Sequence, residues 1–113
     1  MKLAIIGSRN LYIDVEKYIP ARVSEIVTGG ARGIDACAAE YARKRGIKLT
    51  EFLPEYSQYG DGAPIKRNER IVEYADEAIA FWDGKSVGTK YMIGLFRSLG
   101  KRVIVIVVDE IEE

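Results

Sequence analysis

The stretch Val27-Thr28-Gly29-Gly30-Ala31-Arg32-Gly33-Ile34-Asp35 limits most what this chain can fold into. Before it, Val23–Val27 is short, apolar and partly β-branched, which reads as a buried strand. After it, Ile34, Cys37, Ala38, Tyr41 and Ala42 recur at i, i+3, i+4, i+7 and i+8, one face of a helix. A strand thus runs into three glycines and a helix begins as they end. Glycine suits a loop whose backbone approaches a ligand closely or adopts positive φ. The helix's first turn adds unpaired N–H groups and the positive end of its dipole, and Arg32 adds a planar, permanently charged donor. The loop reads as a phosphate cradle or, more plainly, as a tight turn that needs glycine.

Two further junctions have the same build. Leu3–Ile6 is an apolar run that stops at Gly7-Ser8-Arg9-Asn10, and Ala78–Trp82 runs into Asp83-Gly84-Lys85-Ser86-Val87-Gly88-Thr89. The helix after the latter is expected to bury Met92, Leu95, Phe96 and Leu99, with Gly94 retained for close packing on the sheet. Asp14 can cap a short first helix over about Val15–Pro20, and Ile47–Leu53 supplies a third strand. Pro54–Gly62 is the longest irregular stretch, and Pro64 opens a third helix. That helix carries Lys66, Arg67, Asn68 and Arg70 early, where cations oppose the dipole. Either a bound anion or pairing with Glu69 and Glu73 would account for them. Val103–Val108 forms a fully apolar last strand, followed by the acidic stretch Asp109–Glu113.

Strands alternating with helices predict an α/β fold: a single Rossmann-like three-layer αβα domain over residues 1–113. Its five-stranded parallel sheet is expected in the order 3-2-1-4-5. Ligands of such sheets bind at the carboxyl ends of the strands, beside the switch point between the first and fourth. The loops Gly7–Asn10, Thr28–Asp35 and Asp83–Thr89 all leave that edge, and each carries Arg or Lys. The apolar last strand falls at a sheet edge, where a bare hydrophobic ladder invites pairing, so a homodimer or larger assembly is expected.

Composition removes several chemistries. The chain has no histidine, which excludes Ser-His-Asp and Cys-His nucleophiles and imidazole-based zinc sites. Lys plus Arg equals Asp plus Glu at 17 each, so no whole-molecule positive field exists to hold a duplex. The single Cys37 lies on an apolar helix face and builds no disulfide framework, consistent with a reducing compartment. With no signal peptide or spanning segment legible, the expected location is cytoplasmic and no membrane partner is expected. Nothing in the residue pattern calls for a metal or a cofactor.

Two familiar phosphate motifs fail on spacing. G-x-G-x-x-G should follow the first strand, where the chain reads Gly7-Ser8-Arg9-Asn10. Gly84-Lys85-Ser86 looks like the end of a P-loop, but its leading glycine would fall at Ile79. The set Ile5-Ile6-Gly7-Ser8-Arg9, Thr28–Asp35, Lys66-Arg67-Asn68 and Trp82–Thr89 instead resembles the SLOG superfamily of small Rossmann-like domains. It is similar in particular to short bacterial proteins described as YspA-like. The resemblance implies binding of a nucleotide or nucleotide-derived small molecule at this edge. LOG phosphoribohydrolases, in the same superfamily, carry P-G-G-x-G-T-x-x-E. Gly88-Thr89 match that motif, but its catalytic glutamate falls at Met92. DprA-like proteins resemble the chain at Thr28–Asp35 and Arg67-Asn68, and that branch binds single-stranded DNA.

The residues support three roles. In a nucleotide-binding domain, acting as a sensor, Gly29, Gly30 and Gly33 would offer amides and Arg32 a cation to phosphate. Gly7, Ser8 and Arg9 would close the crevice; Thr28, Ala31, Arg67 and Asn68 would line it; Gly84, Lys85, Ser86, Gly88 and Thr89 would hold a second polar group. Trp82 or Tyr56 would stack on a base or belong to the core. In a nucleotide N-glycosidase, Asp83 and Asp35 are the carboxylates at the correct edge; more plainly, Asp35 suits a helix first turn and Asp83 can cap the following helix. A single-strand binder would use Arg32, Lys66, Arg67 and Lys85 as its track.

Overall fold

The computed structural model describes residues 1–108. Strands β1 (Lys2–Gly7), β2 (Glu25–Thr28), β3 (Lys48–Glu51), β4 (Glu77–Trp82) and β5 (Val103–Val107) form one parallel sheet in the order β3-β2-β1-β4-β5. The helices are α1 (Ile34–Arg45), α2 (Tyr56–Tyr59), α3 (Ala63–Tyr74) and α4 (Val87–Ser98). The fold and strand order are those expected from the alternation of elements.

Alternate residues of a strand face opposite sides, so each central strand feeds two cores. Leu3, Ile5, Ile26, Ile79 and Phe81 pack with Ile34, Ala38 and Ala42 of α1 and with Leu11 and Val15 of the β1–β2 connection. Ala4, Ile6, Val27, Ala78 and Ala80 pack with Ile71 and Val72 of α3 and Met92, Ile93 and Phe96 of α4. Three alanines on that second face leave room for the larger side chains that α3 and α4 bring down.

The first helix is shorter than expected. Asp14 does accept a bond from the Glu16 amide at 3.0 Å, but only a 3₁₀ turn over Glu16–Tyr18 follows. Ile19 precedes Pro20, which disfavours helical backbone at Ile19, and Ile19 is extended. Tyr18 closes the connection by packing edge-on against Phe81, ring centroids 5.3 Å apart. Pro54–Gly62, expected to be irregular, holds α2 and a 3₁₀ turn over Gly60–Gly62.

Two expectations for α4 are corrected. Gly94 does not press on the sheet: it is exposed, and an added Cβ would meet nothing within 4 Å. Leu99 is not buried but 54% exposed, because it follows the last helical residue, Ser98. The Lys101 ammonium turns back to the end of α3 and donates to the carbonyls of Val72, Glu73 and Ala75 at 2.6–2.9 Å. No helix among the described residues is long and apolar enough to cross a membrane. The acidic stretch 109–113 lies outside the described residues.

Candidate functional site

The carboxyl end of β1 meets α1 at Gly7. A Cβ there would lie 2.6 Å from both the Phe81 carbonyl oxygen and Ile34 Cγ1, so this contact requires glycine. Gly33, with φ +76°, sits against the Ser8 and Arg9 carbonyls, and the Ser8 carbonyl accepts a bond from the Ile34 amide at 3.2 Å. The β1 loop is thereby clamped onto the first turn of α1.

The glycine loop after β2 is a cradle, and Asp35 of its own helix occupies it. Asp35 Oδ2 accepts bonds from the amides of Gly29 and Ala31, both at 3.2 Å, while the Gly30 amide donates to Thr28 Oγ1 at 3.3 Å. Burial pushes the Asp35 carboxyl above the usual carboxylate range. The Ala31 amide, the Arg67 charge and the Gly29 amide only partly offset that burial, and Glu51 adds to the rise.

Arg67 reaches the loop from α3. Its Nη1 donates to the Gly29 carbonyl at 2.7 Å and its Nε to Asn68 Oδ1 at 2.8 Å. Burial lowers the guanidinium's pKa, Asp35 counters, and the nearby Arg9 charge presses it down further. The other early cations of α3 pair outward: Lys66 with Glu69 at 3.7 Å and Arg70 with Glu55 at 3.3 Å.

At the β4–α4 junction, Asp83 Oδ1 accepts from the amides of Lys85 and Ser86, both at 2.8 Å. The Ser86 and Lys85 amide bonds hold the Asp83 carboxyl below the usual carboxylate range. Ser86 is the helix cap, its Oγ accepting from the Thr89 amide at 3.3 Å. Trp82 Nε1 donates to the Ser86 carbonyl at 3.0 Å, which gives the indole a structural part in the turn. The first amides of α4, those of Val87 and Gly88, have no acceptor within the helix.

These junctions enclose an open crevice of about 500 Å³ between α3, α4 and the end of β1. Of the residues singled out in the sequence, it brings together Gly7, Ser8 and Arg9 with Gly29, Ala31 and Asp35. Facing them are Arg67 and Asn68, then Asp83, Lys85, Ser86, Gly88 and Thr89. Thr28, Gly30, Arg32, Gly33 and Gly84 do not line it: Thr28 and Gly33 are buried, and Gly30, Arg32 and Gly84 are exposed. Arg67 takes the place beside Gly29 that the sequence assigned to Arg32. Tyr56 is exposed outside the lining.

The crevice also takes Ile6, Asn10, Pro64, Ile71 and Met92, which sequence reasoning left out of the site. One signal was available. Pro64, Arg67, Asn68 and Ile71 stand at i, i+3, i+4 and i+7, a single face of α3. The polar half of that face turns to the crevice and the apolar half closes its floor with Met92.

A doubly wound parallel sheet with a charged crevice at its switch point defines a Rossmann-like domain. The chain belongs to the YAcAr family, described as the YspA, cpYpsA-related SLOG family, whose model matches residues 1–59. No curated protein and no solved structure gives a match. Membership of the SLOG superfamily points to nucleotide-related binding or processing. The matched segment carries the loops after β1 and β2; Arg67 and the β4–α4 junction lie beyond it.

Proposed function

We propose that this protein binds a nucleotide or nucleotide-derived small molecule in the crevice, as a sensor domain. One observation carries the reading: a charge-neutral chain directs three cations, Arg9, Arg67 and Lys85, into one crevice whose two carboxylates are each engaged by backbone amides. The phosphate seat this supports is the first turn of α4 with Lys85, where Val87 and Gly88 amides are open, since Asp35 already occupies the glycine loop. Ile71 and Met92 provide an apolar floor for a base. A strand of nucleic acid fits less well, because Arg32 and Lys66 do not share the crevice with Arg67 and Lys85.

A second reading, cleavage of a nucleotide's N-glycosidic bond, is favoured by Asp35 alone. It is a carboxyl in a crevice beside Arg67 whose pKa burial has raised, as acid–base groups require. Asp83 is committed to the turn.

The test is a thermal-shift screen against nucleoside mono-, di- and triphosphates, cyclic nucleotides, NAD and ADP-ribose, with base release followed by chromatography. A ligand at 100 times its Kd adds about 2.7 kcal/mol and raises the midpoint by about 10 °C or more. A shift without base release supports the binding domain; base release that disappears in Asp35→Asn supports the hydrolase. No shift with any compound refutes both.

A further inference from the structure

We propose that the crevice is built for two separated anionic groups, so that its ligand is a nucleoside bisphosphate with phosphates on either side of one sugar. The inference rests on the nucleotide reading above and says which nucleotides that site takes. Its starting point is the pair Arg9 and Arg67. Both line the crevice, one from the β1 loop and one from α3; Asp35 supports the Arg67 cation and Arg9, more weakly, opposes it. Like charges turned into one partly enclosed space repel more strongly than they would in water. The two bonds that Arg67 makes go to neutral acceptors, the Gly29 carbonyl and Asn68 Oδ1. Asp35, the carboxylate between the loops, has Oδ2 engaged by two amides, and among the described residues no ion pair includes Arg9. A dianion bridging the two guanidiniums would remove that repulsion, and Arg recognises phosphate by paired N–H donors.

This second seat is distinct from the one at α4. Arg67 is anchored to the loop that follows β2, whereas Lys85, Ser86 and Gly88 follow β4. β2 and β4 lie on opposite sides of β1, so the Gly29 anchor of Arg67 is two strand spacings, about 10 Å, from the end of β4, with Arg9 following β1 between them. Phosphates joined by an anhydride are neighbours and crowd onto one seat. Phosphates on the 5′ and 3′ carbons of a ribose stand apart and reach one seat each. Asn68 Oδ1 accepts one bond from Arg67 and keeps a second lone pair, so Asn68 offers the crevice its two Nδ2 donors beside one acceptor.

The experiment is titration calorimetry of the full chain with the 5′-monophosphates, 5′-diphosphates and 3′,5′-bisphosphates of adenosine, guanosine, cytidine and uridine. For the best base, the bisphosphate should bind at least ten-fold more tightly than the monophosphate, and the diphosphate should gain less. Arg9→Ala should weaken the bisphosphate at least five-fold more than the monophosphate, and Arg9→Lys should recover part of that difference. Arg9 is exposed, so circular dichroism is expected to show an unchanged fold. Equal affinity for mono- and bisphosphate would overturn the second seat and leave the nucleotide reading standing. A diphosphate that binds most tightly would overturn it too, placing both phosphates on one seat. If no nucleotide binds, the reading of the crevice fails and the inference fails with it.

Discussion

At the scale of single residues, Asp35 decides how the site behaves. It fills the nest of amides that the glycine loop offers, and it does so at the expense of being buried as a carboxylate. A carboxyl whose folded pKa exceeds its unfolded one binds its proton more tightly in the fold, so its ionised form destabilises. That penalty is absent below the unfolded value of about 4 and complete above the folded one. Asp35→Asn keeps an acceptor for Gly29 and Ala31, so it should be more stable than the parent at pH 7. The advantage should disappear as pH approaches 4. Urea denaturation at the two pH values checks this, and a gain equal at both would assign the effect to packing instead. Glu25 has the opposite sign: burial raises it, but bonds from Tyr74 at 2.5 Å and Thr50 at 2.7 Å and the Lys48 charge outweigh burial. Its contribution is present at neutral pH and is lost as pH falls through its lowered pKa. Arg67→Ala should weaken nucleotide binding by about 1.5–3 kcal/mol, the range for a charge-assisted bond, as read by calorimetry. Gly33 was legible because its positive φ is a local demand, whereas Gly7 and Gly29 answer close approaches by the distant Phe81 and Arg67. Arg67 was not singled out over Arg32, because its bond to Gly29 spans 38 positions and no local pattern encodes it.

Elements were legible where their periodicity was long, and they failed at their ends. The i, i+4 spacing of Ile34, Ala38 and Ala42 identifies α1, and all three are buried. The stretch before Pro20 has no room for a second turn, and a helix that short does not sustain itself. Gly94 illustrates a different limit: one chain cannot show whether a glycine inside a helix is kept for packing or merely tolerated. Since a Cβ there meets nothing, Gly94→Ala should stabilise the protein by about 0.5–1 kcal/mol, measured as a higher urea midpoint at unchanged slope. Destabilisation would mean that α4 packs against something at that position. The end of α3 was equally hidden from sequence reading. Its carbonyls are capped by Lys101, which arrives only after α4 has been completed.

Over the whole molecule, strand order followed from a small set of chain rules, which is why the position of the crevice could be foreseen. Parallel strands joined by helices admit few arrangements, and the switch point between β1 and β4 comes with the order. What covers β5 did not follow. That strand is an edge, with Ile104 at 42% and Val107 at 64% exposure. Pairing with a second copy along this edge would bury them, and sedimentation at micromolar concentration is expected to show a dimer. A monomer would mean that the edge is tolerated bare.

The pairing of β1 with β4 also has a kinetic side. The Lys2 amide donates to the Asp76 carboxylate across 74 positions, and β1 then zips along β4 from Leu3↔Glu77 to Gly7↔Phe81. Closing so large a loop is entropically costly before any contact rewards it, so docking of β4 is expected to come late in folding. Until then β1 has one flank unpaired. A ribosome that has released only the amino-terminal half would present a three-stranded, half-covered sheet with no crevice. The ability to hold a ligand should therefore arise in one late event, and a nascent chain stalled before β4 should be protease-sensitive whatever nucleotide is supplied.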